Sequence, residues 1–374
     1  MTIKNILIAS LILIIATYNN LSAVEKEEII KELSIDYHKK DPYKKFKRKH
    51  LHFVGSSTVY PFSTIIAEDF GRINKINDKN AKTPIIEANG TGGGFKLFCQ
   101  GVGEKYPDFV NASRPIEKSE IANCLEHNIR NPIEINIGYD GIVLANKTTG
   151  FDYNINLEQL FLALIAEIPD NDGNIRPNQY KYWSDIDKKL PKIAIKIYGP
   201  PTSSGTRDSF VEMAIENPCN KNQLFIKSYP DPKIRKQKCR IIRNDGAFIE
   251  AGENDNLIVH KLINDKDAMG IFGFNFLREN IATIKAVKLD NQTPNTENIS
   301  SGKYPISRPL FIYAKQEHLN IANKMPDFIK EILNDETIGD NGSLAIKGLI
   351  PLSKQELSNQ KSNILKKIDI ITDF

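Results

Sequence analysis

Short apolar runs alternate with stretches in which apolar residues recur every three or four positions along most of the chain. The first pattern predicts strands and the second amphipathic helices. Residues 52–54, 85–87, 109–111, 193–198, 271–274 and 308–314 read as strands, and 61–73, 210–215 and 325–333 as helices. Strands interleaved with helices in this way predict an α/β protein with mainly parallel sheets. The pattern divides the chain into a first lobe over 51–145, a second over 146–269, and a return to the first lobe over 270–374. Two crossings of this kind make a hinge, and ligands of such folds sit at the carboxyl ends of the strands, between domains.

The start of the chain does not join the alternation. Lys4 precedes an apolar run over 6–16, and Leu21-Ser22-Ala23 supplies small residues for cleavage. This reads as a secretory signal over 1–23, too short to span a bilayer comfortably. A polar leader over 24–50 follows, with a basic run at 38–50 expected to be solvated. The mature chain is then longer than one hydrophobic core usually organises, which agrees with two lobes. Cys99, Cys124, Cys219 and Cys239 form an even set in a chain bound for an oxidising compartment, so disulfides fit better than metal. Three pairings are open, and Cys99–Cys124 with Cys219–Cys239 closes the smallest loops. A formal charge of +4 over 374 residues is small. Spread along the chain, it excludes a dedicated nucleic-acid binder and suits attraction of an anion.

Four helix starts carry the candidate chemistry. Gly55-Ser56-Ser57-Thr58-Val59-Tyr60-Pro61 sets hydroxyls after a strand and a proline in the first helical turn. Gly90-Thr91-Gly92-Gly93-Gly94 repeats the arrangement, its small residues letting a bound group approach the backbone. Thr202-Ser203-Ser204-Gly205-Thr206-Arg207-Asp208 adds a cation able to pair with an oxyanion through two hydrogen bonds. Glu250 to Asn256 suits helix capping better than anion contact. Free N–H groups and the positive end of the helix dipole make each start an anion seat, though any one alone is equally a capped helix. Converging, they would surround one desolvated anion with donors. Arg114, ending the strand 109–111, is the second candidate cation.

Taken together, GSSTVYPF (55–62), GTGGGF (90–95), NASRPI (111–116), GYDGIVLAN (138–146), PTSSGTRDSFVE (201–212), AGENDNLIV (251–259) and GIFGF (270–274) resemble the phosphate-binding proteins of Pst-type ABC importers. The resemblance implies the two-lobe type II periplasmic binding protein fold and a non-enzymatic, periplasmic, monomeric protein without cofactor. Such a protein would capture phosphate in its cleft and deliver it to a membrane permease. Position by position, it puts ligand contacts on Ser57, Thr58, Val59, Thr91, Gly92, Ser204, Gly205 and Thr206. Two departures matter. Family members carry Asp where this chain has Arg114, and Arg where it has Pro200. Arg114 and Arg207 are therefore expected to share the charge pairing, and Asp140, in a GYDG turn, to accept the ligand's proton. Losing the family's Asp opens sulfate or another tetrahedral oxyanion as an alternative ligand. A secreted hydrolase with Ser57 or Ser204 as nucleophile is the other reading, but no G-x-S-x-G elbow supports it.

Overall fold

The computed structural model describes residues 45–77, 79, 82–252 and 254–372. The expected signal segment and most of the leader lie outside them. One sheet path runs through the whole molecule. Its strands are β1 (His52–Gly55), β2 (Ile85–Ile86), β3 (Phe109–Ala112), β4 (Ile133–Lys147), β5 (Ile197–Gly199), β6 (Phe248–Glu250), β7 (Met269–Gly273), β8 (Ile284–Ala286) and β9 (Ser307–Ala314). The order is β2-β1-β3-β9-β4-β7-β5-β6, with β8 also on β4.

The 15-residue β4 joins the lobes. Its first part, 133–141, pairs with β9, and its second, 142–146, with β7. The outer strands of each lobe are parallel and the seam is antiparallel, so the sheets are more mixed than the alternation predicts. The strand at 269–273, expected in the returning segment, pairs with β4 and β5 of the second lobe. The chain re-enters the first sheet only at Ser307, opposite Gly141. Residues 138–141 are not a turn either. They lie within β4, where a register irregularity between Leu310 and Phe311 and the left-handed Gly138 (φ 138°) bend the strand.

In the first lobe, Phe53 stacks on Phe109 at 4.3 Å, and Phe328 meets Phe53 and Phe70 edge-on. In the second, Trp183, Phe161, Phe210 and Phe225 are buried. The last helix, Lys354–Thr372, buries Leu357, Ile364, Ile368 and Ile371, and its Gln360 bonds both the N–H and the C=O of Asn136 in β4. Both predicted disulfides form, Cys99–Cys124 and Cys219–Cys239. No described helix is long and apolar enough to cross a membrane.

The end of the basic run is docked rather than solvated. Phe46 packs edge-on against His318, and Arg48 makes a two-pronged bond with the fully buried Asp108 at 2.6 and 2.7 Å. Asp108 Oδ1 also lies 2.7 Å from His318 Nδ1, while His318 Nε2 accepts from the Gly103 N–H. The ring therefore carries its proton on Nδ1 and is neutral. Burial lowers its pKa to about 4, against the upward pull of Asp108.

An unfolded histidine takes up a proton near pH 6.5, whereas this one does so near 4, so folding loses about 3 kcal/mol as pH falls through that window. Melting temperatures between pH 7 and 4 should show this decline, and His318→Asn should flatten it. An equally steep decline in the variant would place the acid sensitivity elsewhere.

Candidate functional site

The site begins where β1 ends. Gly55 has φ +126° and lies so close to β3 that a Cβ would stand 2.2 Å from the Asn111 carbonyl oxygen, so only glycine fits. Gly94 approaches Gly55 in turn, a Cβ there falling 2.5 Å from the Gly55 Cα. These contacts bring the start of α1 (Tyr60–Asn77) and the start of α2 (Thr91–Phe98) to one end of the first sheet. At α1, Val59 is buried and offers only its backbone, Thr58 is 9% exposed and Ser57 is exposed. At α2, Thr91 Oγ1 accepts the Ser113 N–H at 3.2 Å and lies 3.1 Å from Ser113 Oγ. Gly90 has nothing within 4 Å of its missing side chain.

The second lobe contributes α4 (Gly205–Phe210), with Ser204 at its N-cap. Gly205 also has open space where a side chain would be, leaving its backbone approachable. From Val211 to Glu216 the helix widens to π geometry, a feature frequent at functional sites. Three side chains of this helix reach the start of α1 or the hinge. Asp208 Oδ2 accepts from Ser57 Oγ at 3.3 Å, Ser209 Oγ lies 3.1 Å from Thr58 Oγ1, and Glu212 Oε2 accepts from Arg308 Nη1 at 2.8 Å.

Arg308, the second residue of β9, is the centre of this cluster. It is 8% exposed, and its Nη2 donates to both Thr58 Oγ1 (2.9 Å) and Ser209 Oγ (2.7 Å). Its Nε has no hydrogen-bond partner among the described residues and faces Asp140 Oδ2 at 3.8 Å. Asp140 stands directly across the seam from it. Burial raises the Asp140 pKa and Arg308 opposes the rise. Thr58 and Ser209 each accept one Arg308 hydrogen and share one bond, which uses one of their two hydroxyl protons. One O–H donor is left over.

The two expected cations are placed otherwise. Arg114 sits at the rim, Nη2 3.9 Å from where a Gly92 Cβ would be, but Glu120 takes both its terminal nitrogens at 2.9 and 2.8 Å and Glu117 its Nε. Glu120 belongs to α3 (Lys118–Glu126), immediately downstream, so the pair is local. Arg207 is buried with its guanidinium 4.0 Å over the Phe248 ring, donating to the Pro200 carbonyl. Burial lowers its pKa, partly offset by Glu250. Sequence reasoning missed Arg308. Its signal was a lone arginine opening an otherwise apolar strand, where burial demands partners. At the fourth start Asn254 caps its helix, accepting from the Asn256 N–H, which is the expected structural role.

The family model describing the PBP superfamily domain matches residues 44–336. The chain belongs to the PBP superfamily. Within it, Protein SphX of Synechococcus elongatus is 31% identical over 277 residues, 72% of this chain and 69% of that protein. The phosphate-binding protein PstS of Staphylococcus saprophyticus is 29% identical over 318 residues, 83% of this chain and 82% of the relative. Among solved structures, a possible phosphate binding protein from Planctomyces limnophilus superposes with a TM-score of 0.66 at 26% identity, over 86% of this chain and 99% of that one. The two-lobe fold of this PBP-superfamily chain is thus shared with relatives matched over most of their length.

Removing the buried Arg308 leaves the part-buried Asp140 without its cation and Thr58 and Ser209 without their donor. Arg308→Met should therefore destabilise the protein by about 3 kcal/mol in urea unfolding. Combined with Glu212→Gln, the double mutant should show a coupling of about 1 kcal/mol or more. Strict additivity would mean that the pair contributes nothing jointly.

Proposed function

We propose that this protein is an extracytoplasmic solute-binding protein that captures inorganic phosphate between its lobes and delivers it to the permease of an ABC importer, without catalysing a reaction. The observation that carries the reading is that the hydroxyl-rich start of α1 and the helix opened by Ser204 and Gly205 on the other lobe meet at one buried guanidinium, through Thr58, Ser209 and Glu212. The names borne by the PstS and Planctomyces relatives support phosphate as the ligand.

In this reading the ligand's oxygens are held by the amides and hydroxyls of Ser57, Thr58, Val59, Thr91, Gly92, Ser204, Gly205 and Thr206. Helix starts favour anions without placing full charges against them. Arg308, one layer behind Thr58 and Ser209, holds both hydroxyls and polarises the spare donor. Arg114 supports it from the rim. Asp140 accepts the proton that phosphate retains at neutral pH and sulfate lacks. Its raised proton affinity makes it a better acceptor than an exposed aspartate. The hydrolase reading gains nothing, because Ser57 donates to a carboxylate, Asp208, rather than to an imidazole.

Calorimetric titration of phosphate-stripped protein tests the assignment. Phosphate should bind one to one and sulfate should give no heat. Asp140→Asn should weaken phosphate about tenfold or more, the scale of a charged hydrogen bond, and narrow the gap to sulfate. Equal binding of both anions by the wild type would assign the cleft to tetrahedral oxyanions generally, and silence from both would end the phosphate reading.

A further inference from the structure

The two arginines beside the helix starts face four carboxylates, Asp140 and Glu212 at Arg308 and Glu117 and Glu120 at Arg114. An anion that is to bond either guanidinium directly must replace one of them. The four are not held alike. Glu212 accepts from Arg308 at 2.8 Å, and Asp140 is fixed in β4 across the seam. Glu120 is 14% exposed and accepts from both terminal nitrogens of Arg114 and from the Glu117 N–H. Glu117 is 57% exposed and stands 3.2 Å from the Arg114 Nε as an ion pair. Exposed pairs of this kind are weak, so Glu117 is the carboxylate most easily displaced.

The geometry of Arg114 shows what would take its place. The Nη1 hydrogens go to Glu120 and to the Pro115 carbonyl, and one Nη2 hydrogen goes to Glu120. In a planar guanidinium Nη2 is the terminal nitrogen on the Nε–H side, so its second hydrogen and the Nε–H lie parallel along one edge. Such an edge takes two oxygens of one oxyanion. Among the described residues only Glu117 pairs with it. The edge belongs to the cleft, because Nη2 is 3.9 Å from where a Cβ on Gly92, in the first turn of α2, would be. The opposite lobe is also close. The Arg114 pKa is raised first by its bond to Glu120, against burial, and then by the charges of Glu120, Glu117 and the second lobe's Glu212.

We infer that Glu117 is an internal stand-in for the ligand: it covers the Nε–Nη2 edge of Arg114 in the empty site and swings out to solvent when the anion takes that edge, while Glu120 keeps the guanidinium in place. This rests on the phosphate reading and deepens it by naming the residue that competes with the anion. The consequence is that Glu117 lowers affinity, and does so only through Arg114.

The experiment measures the phosphate Kd of Glu117→Gln, once with Arg114 intact and once combined with Arg114→Gln, by calorimetry on phosphate-stripped protein at about 10 mM ionic strength, where exposed charges are little screened. Glutamine keeps the size and side-chain oxygen of this N-cap residue of α3 and removes its charge. With Arg114 intact, the substitution should tighten phosphate about threefold, the scale of an exposed ion pair. In the Arg114→Gln background it should leave Kd unchanged. An equal gain in both backgrounds is a general field effect and overturns the inference, as does no gain with Arg114 intact. A second measurement is independent of how tightly the Arg114 variant binds: the Arg114 Nε–H resonance of wild type, identified by its loss in Arg114→Lys, should shift and exchange more slowly with water on saturation with phosphate. A resonance that phosphate leaves unmoved overturns the inference while phosphate binding stands. A wild type that binds no phosphate removes the functional reading itself.

Discussion

The arrangement depends on satisfying one buried guanidinium. Arg308 stands at the seam where β9 and β4 pair, nearly sealed from solvent, and carries five N–H donors in a fixed fork. A charge so placed must be surrounded by acceptors or it destabilises the fold. Those acceptors come from three directions: Thr58 from the first lobe, Ser209 and Glu212 from the second, and Asp140 from the hinge strand. The requirement to saturate one side chain therefore ties the hinge to both lobes. It also sets the charge balance of the site, since two carboxylates on one cation leave no net positive charge to be desolvated.

Around that centre, backbone geometry does the positioning. The contact of Gly55 with Asn111 and of Gly94 with Gly55 admits no side chain, and it fixes the starts of α1 and α2 side by side. In the second lobe, the π segment follows directly on α4, and Glu212 within it reaches Arg308 at the seam while Asp208 and Ser209, one turn earlier, reach the start of α1. Each lobe thus presents a helix start rich in small and hydroxyl residues, and the apposition of the two follows from packing already needed to bury Phe53, Phe109 and Phe210.

The parts legible in the sequence were those encoded locally. Helix starts, strand periodicity and the two disulfides depend on neighbours within some 25 residues; both disulfides form and most elements stand near where the pattern put them, though the strand read at 193–198 is confined to Ile197–Gly199. What depended on distant partners was not legible. Arg207 looks like an anion ligand from its position after Ser-Gly-Thr, yet Phe248, 41 positions later, decides where its guanidinium lies. Asp140 reads as a turn residue between two glycines until β9 arrives from 168 positions downstream to hold it in a strand. Arg308 was invisible as a site residue because its partners are 96 to 250 positions away. No local pattern announces them.

The bonds between the lobes bear on how a ligand would act. Ser57 with Asp208, Thr58 with Ser209, and Arg308 with Glu212 already join the lobes through side chains alone. A ligand shifts an opening equilibrium only by its differential affinity for the joined form. Where protein contacts supply part of the preference for that form, the anion has less of it to supply, and more of its binding energy appears as affinity. The donor count at Thr58 and Ser209 sets the other side of this balance. The lobes use all but one of the protons that these two hydroxyls and the Arg308 Nη2 can offer, so an anion arriving there gains a single strong donor without breaking any bond that holds the lobes together.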